Sequence, residues 1–226
     1  MTFKQLQDMT LDLCQEIASS PDFSLTRLKF YLNRANEDFV RQTDCLQAEI
    51  DITTVANQVS YATADAANLA FVKRVFEVRY DNGTERGNKL KLINHSELPE
   101  RYEYGLPAFY WVTGNNSRGI AGATTGTFKI GTHPIVSEAQ TIRVNAFIFP
   151  VADMSANSDV PAMQVAWQTA LPEYVAYRLF GLYSHKNPAY GRKSQDHFAV
   201  YQNMVNDFNF NAVQDSAETT EVVDVY

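Results

Sequence analysis

Residues 25–54 read LTRLKFYLNRANEDFVRQTDCLQAEIDITT, and the hydrophobic period changes inside them. Up to Phe39 the apolar residues Leu25, Leu28, Leu32, Ala35 and Phe39 recur every three to four positions. Arg27, Lys29, Arg34, Glu37, Asp38 and Arg41 fill the other faces. That pattern is an amphipathic helix, and Ser24 is placed to cap it. From about residue 47 the period is two. Glu49-Ile50-Asp51-Ile52-Thr53 puts Ile50 and Ile52 on one face of a strand. A helix therefore gives way to a β region near residue 46.

Upstream, Phe3, Leu6, Thr10, Leu13 and Ile17 follow the helical period, which predicts a helix over 3–18 that Pro21 ends. The two helices make a hairpin over 1–46. Downstream, short strands are expected at Gln58 to Tyr61, Phe71 to Tyr80, Lys89 to Ile93, Pro107 to Thr113, Thr127 to Ile130 and Thr141 to Phe149. Asp81-Asn82-Gly83 supplies the positive φ angles of a hairpin turn between the second and third of these. Ser96 opens a short helical turn towards Glu103, and residues 114–126 read as a long Gly, Asn, Thr and Ser loop.

Pro150 closes the β region, and 151–164 reads as an extended linker. A third helix follows, with Pro172 in its first turn and a stripe of Leu171, Tyr174, Val175, Leu179 and Leu182. Asn187-Pro188 turns into a final helix over about 189–209. The sequence thus predicts an α+β protein. An antiparallel helical bundle is made from N- and C-terminal helices (1–46 and 151–210). An antiparallel β-rich insertion occupies 47–150, and an extended acidic arm occupies 211–226. The arm ends in a β-prone run, Val222, Val223, Asp224, Val225 and Tyr226, suited to adding a strand to a partner's sheet edge.

The chain has 226 residues and a formal charge of −7, from 19 Lys and Arg against 26 Asp and Glu. An acidic chain does not attract a phosphate backbone, so sequence-specific DNA binding is not expected. Its only two cysteines, Cys14 and Cys45, read as free thiols of a reducing compartment. No stretch approaches the roughly 18 apolar residues of a membrane span, so no membrane partner is expected.

Reaction chemistry is sparse. His95, His133, His185 and His197 lack the HExxH spacing, and no CxxC accompanies them. The glycines between Gly114 and Gly131 lack the Gly-Lys-Ser/Thr ending of a phosphate loop. No nucleophile, base and orienting group can be nominated together, so no catalytic residue, metal or cofactor is expected. Aromatic residues are more conspicuous. Phe109, Tyr110 and Trp111 share one strand and are candidate interface anchors, while Tyr174, Tyr177, Phe180 and Tyr183 recur on one helix.

The order of these pieces resembles the head-to-tail connector, or adaptor, proteins of tailed bacteriophages. The resemblance rests on the helix pair ending in Leu32-Asn33-Arg34-Ala35-Asn36-Glu37-Asp38-Phe39 and on the hairpin across Asp81-Asn82-Gly83. It rests further on Gly105-Leu106-Pro107-Ala108-Phe109-Tyr110, similar to a G-x-P-x-x-Y segment, and on Phe149-Pro150. The helix Leu171-Pro172-Glu173-Tyr174-Val175-Ala176-Tyr177-Arg178-Leu179 completes it. It spans residues 3–209. It implies a structural virion protein at the head–tail junction, made in the host cytoplasm, forming a homo-oligomeric ring of usually twelve subunits under the portal. The portal protein and a downstream tail or nozzle protein are the implied partners, with the arm (Val222, Val223, Val225, Tyr226) docking on the portal. Twelve copies would carry about −84 charges, so DNA would slide through the channel without adhering.

Two other readings stay open at this point. One is a β-rich tail or capsid accessory module that recognises protein or glycan through Phe109 to Trp111. The other is an enzyme using His185, His197 and nearby acids.

Overall fold

A computed structural model of the chain describes residues 1–20, 23–62, 64–81, 87–98, 103–114 and 128–220, with side chains in the last segment described through Ala212. Two compact units result. One combines Met1–Cys45 with Pro150–Tyr226, and the other is Leu46–Phe149. The fold is mixed α+β.

The first unit holds α1 (Phe3–Leu13), α2 (Gln15–Ala18), α3 (Leu25–Thr43), α4 (Ala170–Tyr183) and α5 (Pro188–Thr220). A capping box starts α1. Thr2 Oγ1 accepts from the Gln5 N–H at 3.2 Å, and the Thr2 N–H donates to Gln5 Oε1 at 2.8 Å. Two more first-turn N–H groups are satisfied from far along the chain: Phe3 donates to the Asp159 carbonyl and Lys4 to that of Asn157. The helix expected over 3–18 breaks at Cys14, whose backbone leaves helical geometry (φ −108°, ψ 22°). Ser24 precedes α3 in an extended conformation but makes no side-chain cap bond, and Asp44 ends α3 in the left-handed region.

α4 packs against α1, α3 and α5. It is apolar around most of its circumference, with Leu171, Val175, Ala176, Leu179 and Phe180 buried. Phe3 and Leu6 of α1 and Leu28 and Leu32 of α3, the helices it packs against, are buried as well. Each large side chain so buried contributes about 1.5–3 kcal/mol. Aromatic edges continue that core: Tyr174 to Tyr201 at 5.2 Å, Tyr201 to Phe39 at 6.4 Å, Phe39 to Phe208 at 5.9 Å and Phe208 to Trp167 at 5.3 Å. Leu25 and Leu182, expected on the inner stripes, are exposed, whereas Glu37 is buried between Arg34 (2.7 Å) and Arg41 (2.9 Å).

The 151–164 segment is pinned rather than loose. Asn33 clamps Met154 through two hydrogen bonds, Nδ2 to the carbonyl (3.0 Å) and the N–H to Oδ1 (2.9 Å). Asp159 Oδ2 accepts from the N–H groups of Ser155 and Ala156. The last helix is longer than the sequence predicts. It continues to Thr220, so residues 211–220 are helical where an extended arm was expected. Residues 221–226 lie outside the described residues.

The second unit holds β1 (Gln47–Thr53), β2 (Ser60–Tyr61), β3 (Val72–Asp81), β4 (Asn88–Lys89), β5 (Lys91–Leu92), β6 (Phe109–Thr113), β7 (Lys129–His133) and β8 (Thr141–Ile148). They form two four-stranded sheets, β1-β8-β3-β4 and β2-β7-β6-β5. The unit is entered on β1 and left on β8, which pair antiparallel (Gln47 opposite Phe147), so its two ends lie side by side. Both sheets contribute to a single core that includes Ile50, Ile52, Tyr61, Val78, Tyr110 and Val144.

The expected returning strand from Lys89 to Ile93 is divided between the sheets. Asn88 and Lys89 pair with β3, and the Leu90 N–H still reaches the Val78 carbonyl at 2.9 Å. Beyond it, Lys91 donates to Ala108 and Ile93 to Tyr110, and β5 runs parallel to β6. The insertion is therefore not wholly antiparallel. In β3, register shifts between Val72 and Arg74 and between Val75 and Glu77 break the simple alternation. Val75 thereby packs on the core while Phe76 turns outward. The hairpin turn at 82–86, the loop at 115–127 and residues 99–102 lie outside the described residues; a 3-10 turn over His95–Glu97 stands where a longer helical turn was expected.

Candidate functional site

The helical unit carries a surface of aromatic side chains around one cation. Arg178 projects from α4 and is exposed. Its guanidinium carbon sits 5.8 Å from the ring centre of Tyr31 on α3 and 5.7 Å from that of Tyr177 on α4. Tyr177 in turn lies 4.8 Å from Phe198 on α5, and Phe30 lies 5.6 Å from Tyr31. Leu182 and Gly181 complete a shallow hollow of about 220 Å³ with Tyr31, Tyr177 and Arg178. Phe30, Leu182 and Phe198 are 46%, 40% and 41% exposed. Aromatic and arginine side chains clustered in this way are the composition of a protein–protein contact.

Helix geometry explains which aromatics reach this surface. Residues three apart turn by about 300°, so four of them drift halfway round the helix. Along Tyr174, Tyr177, Phe180 and Tyr183 the first two are half-buried and the last two are buried. The repeat noticed in sequence is therefore partly core and partly surface. Arg178 is the sole cation in the apolar run of α4, and that was the available sequence signal for this site.

The expected strand anchors fall elsewhere. Tyr110 is buried in the β core, and burial raises its phenol above the ordinary range. Trp111 is buried over Gly131 and meets His95 edge-on at 4.6 Å. Phe109 is only half-buried. The rings of Tyr110 and Trp111, expected as interface anchors, are thus buried inside the unit. Val222, Val223, Val225 and Tyr226 lie outside the described residues.

His197 Nδ1 lies 2.7 Å from Glu173 Oε2, and its ring stacks on Phe180 at 5.4 Å. Lys193 pairs with Glu16 nearby and sits over the same Phe180 ring. Burial, and secondarily the Glu173 charge, pushes the Cys14 thiol up to about 12. A thiol held there supplies almost no thiolate near neutral pH. His185 Nδ1 lies 2.9 Å from the Leu182 carbonyl. Among the described residues no group of three or more His, Cys, Asp or Glu could hold a metal ion, and no helix is long and apolar enough to cross a membrane.

The outer face of the β1-β8-β3-β4 sheet is an ion-pair ladder. Arg143 bridges Glu49 and Asp51 at 3.1 Å each. Glu77 accepts from Arg79 (2.6 Å) and Asn145 (3.2 Å) and pairs with Lys89 (3.1 Å). The Arg79 hydrogen bond, followed by the Lys89 one, holds its carboxyl at about 2 against the opposing effect of burial. Phe76 and Phe147 form an aromatic pair at 4.9 Å on the same sheet. Compared with known proteins, the chain matches no protein-family model and no curated protein.

Proposed function

We propose that this chain is the subunit of a head-to-tail adaptor ring in a tailed bacteriophage, joining the portal to a downstream tail or nozzle protein. The observation that carries the reading is the interruption of one helical unit, built from both ends of the chain, by one β unit. In this reading the helices act as an antiparallel bundle that forms the wall of a ring of about twelve copies. The surface around Arg178, Tyr31 and Phe198 is the contact between neighbours, because its exposed aromatics gain most by leaving water. The acidic balance of the chain suits a channel through which DNA slides without sequence-specific binding. The β unit faces the next tail component. A structural role of this kind needs contact faces rather than a reaction cleft.

The test is reconstitution with the neighbouring virion proteins. Mixing the purified chain with portal assemblies and imaging the product should give a ring stacked coaxially on the portal. Free portal beside unattached monomers would reject the assignment.

A further inference from the structure

The β unit contains a fork that the ring reading does not use. The segment 88–93 leaves β3 after Leu90 and joins β6 from Lys91 onward, as the hydrogen bonds Leu90 to Val78 and Lys91 to Ala108 mark. Between the diverging strands lies a groove of about 480 Å³. Its lining includes Phe76, Glu77, Lys89, Lys91, Leu92 and Tyr110. Phe76 is 44% exposed and Leu92 66% exposed, so two large apolar side chains border the groove. Lys89 and Lys91 are both exposed beside them, and Lys89 shares Glu77. The groove therefore pairs apolar walls with ammonium groups. Its fitting occupant is an extended acidic segment that carries apolar side chains beside its carboxylates.

One segment of this chain has that chemistry. Residues 213–226 contain Asp215, Glu218, Glu221 and Asp224 and no Lys or Arg, and they finish with Glu221-Val222-Val223-Asp224-Val225-Tyr226. In an extended segment Glu221, Val223 and Val225 share one side, and Val222, Asp224 and Tyr226 take the other. Among the described side chains of α5, that of Val205 is the last buried one, and those of 209–212 are exposed. The helix still runs to Thr220, about 15 Å beyond Phe210 at 1.5 Å per residue.

We propose that residues 221–226 of one copy occupy the groove between Phe76, Lys89, Lys91 and Leu92 of a second copy. Val223 and Val225 face Phe76 and Leu92, Glu221 on the same side meets one of the two lysines, and Asp224 reaches the other from the opposite side. The inference rests on the self-assembly proposed above and adds an arm exchange between subunits. It assigns the arm to a neighbouring copy in place of the portal.

The test uses the full chain with Val225→benzoylphenylalanine, a photo-crosslinking residue, in mixtures of light and heavy-isotope chains. The expected product links a light chain to a heavy one, at Phe76 or Leu92. K89E/K91E should cut its yield about five- to tenfold, and E221K/D224K in the donating arm should restore it. Links within single chains only, links to other surfaces only, or links that form only when portal is added would each overturn the inference. Particle mass is measured on the same samples. Rings without the link sink the arm exchange and leave the ring reading standing, whereas light–heavy links in particles that never close support the exchange and count against the ring.

Discussion

The Tyr201 hydroxyl on α5 donates to Asp38 Oδ2 on α3 at 2.7 Å, joining positions 163 residues apart. The ring is fully buried, and burial, then the Asp38 charge, drives its phenol upward, so it stays a donor at all ordinary pH. Gln42 donates to the same Asp38 oxygen at 2.6 Å. The bond closes the helical unit across the whole β insertion. Tyr201→Phe keeps the packing and removes only this bond. It should cost about 1–2 kcal/mol, a fall of roughly 3–6 °C in the melting temperature of the helical signal. An unchanged melting curve would show the bond to be idle.

Gly131 is the tightest point of the β unit. A Cβ there would fall 2.2 Å from two ring carbons of Trp111 and 2.6 Å from the Val59 carbonyl. Gly131→Ala forces the indole or the β2 segment to move. A loss of at least about 2 kcal/mol is expected, read as a lower denaturant midpoint and a changed tryptophan emission.

The Glu77 carboxyl falls from an ordinary 4.5 to about 2 when the unit folds. A depressed folded pKa stabilises the native state fully above 4.5, and that contribution is lost as pH falls from there towards 2. Native protein should therefore lose stability over this window. Glu77→Gln should be less stable at neutral pH and show a flatter acid profile. A parallel pair of profiles would remove Glu77 from the account.

The surface around Arg178 predicts an assembly defect without a folding defect. Arg178 and Leu182 are both exposed, so R178E/L182D should keep the helical content and cost no more than about 1–2 kcal/mol, the loss of the two ring contacts of Arg178. Self-association should weaken at least about tenfold, as sedimentation velocity would register. Wild-type association in this double variant would move the subunit contact elsewhere.

Periodicity made much of the architecture legible. The change of period near residue 46 and its reversal at Phe149-Pro150 mark the two units, because a helix face and a strand face need different spacing of the same apolar residues. It failed where a neighbour decides. Leu90 is one residue of an ordinary-looking strand, and only the presence of β6 draws Lys91 into another sheet. The register shifts in β3 turn Phe76 outward although its alternation with Val78 and Tyr80 is regular in sequence. Composition marked Tyr110 and Trp111 as interface anchors, but the same large rings fill the core beside Gly131. The surface at Arg178 was hidden for a related reason: Tyr31, Tyr177 and Phe198 come from three helices, and no spacing along the chain joins them.

Particle mass in solution tests the central claim most directly. A chain of 25.5 kDa that closes into rings of about twelve should give a species near 300 kDa, alone or once portal is present, with ring-shaped images at the same mass. A single species at the monomer mass under both conditions, with the chain fully folded, would contradict the account.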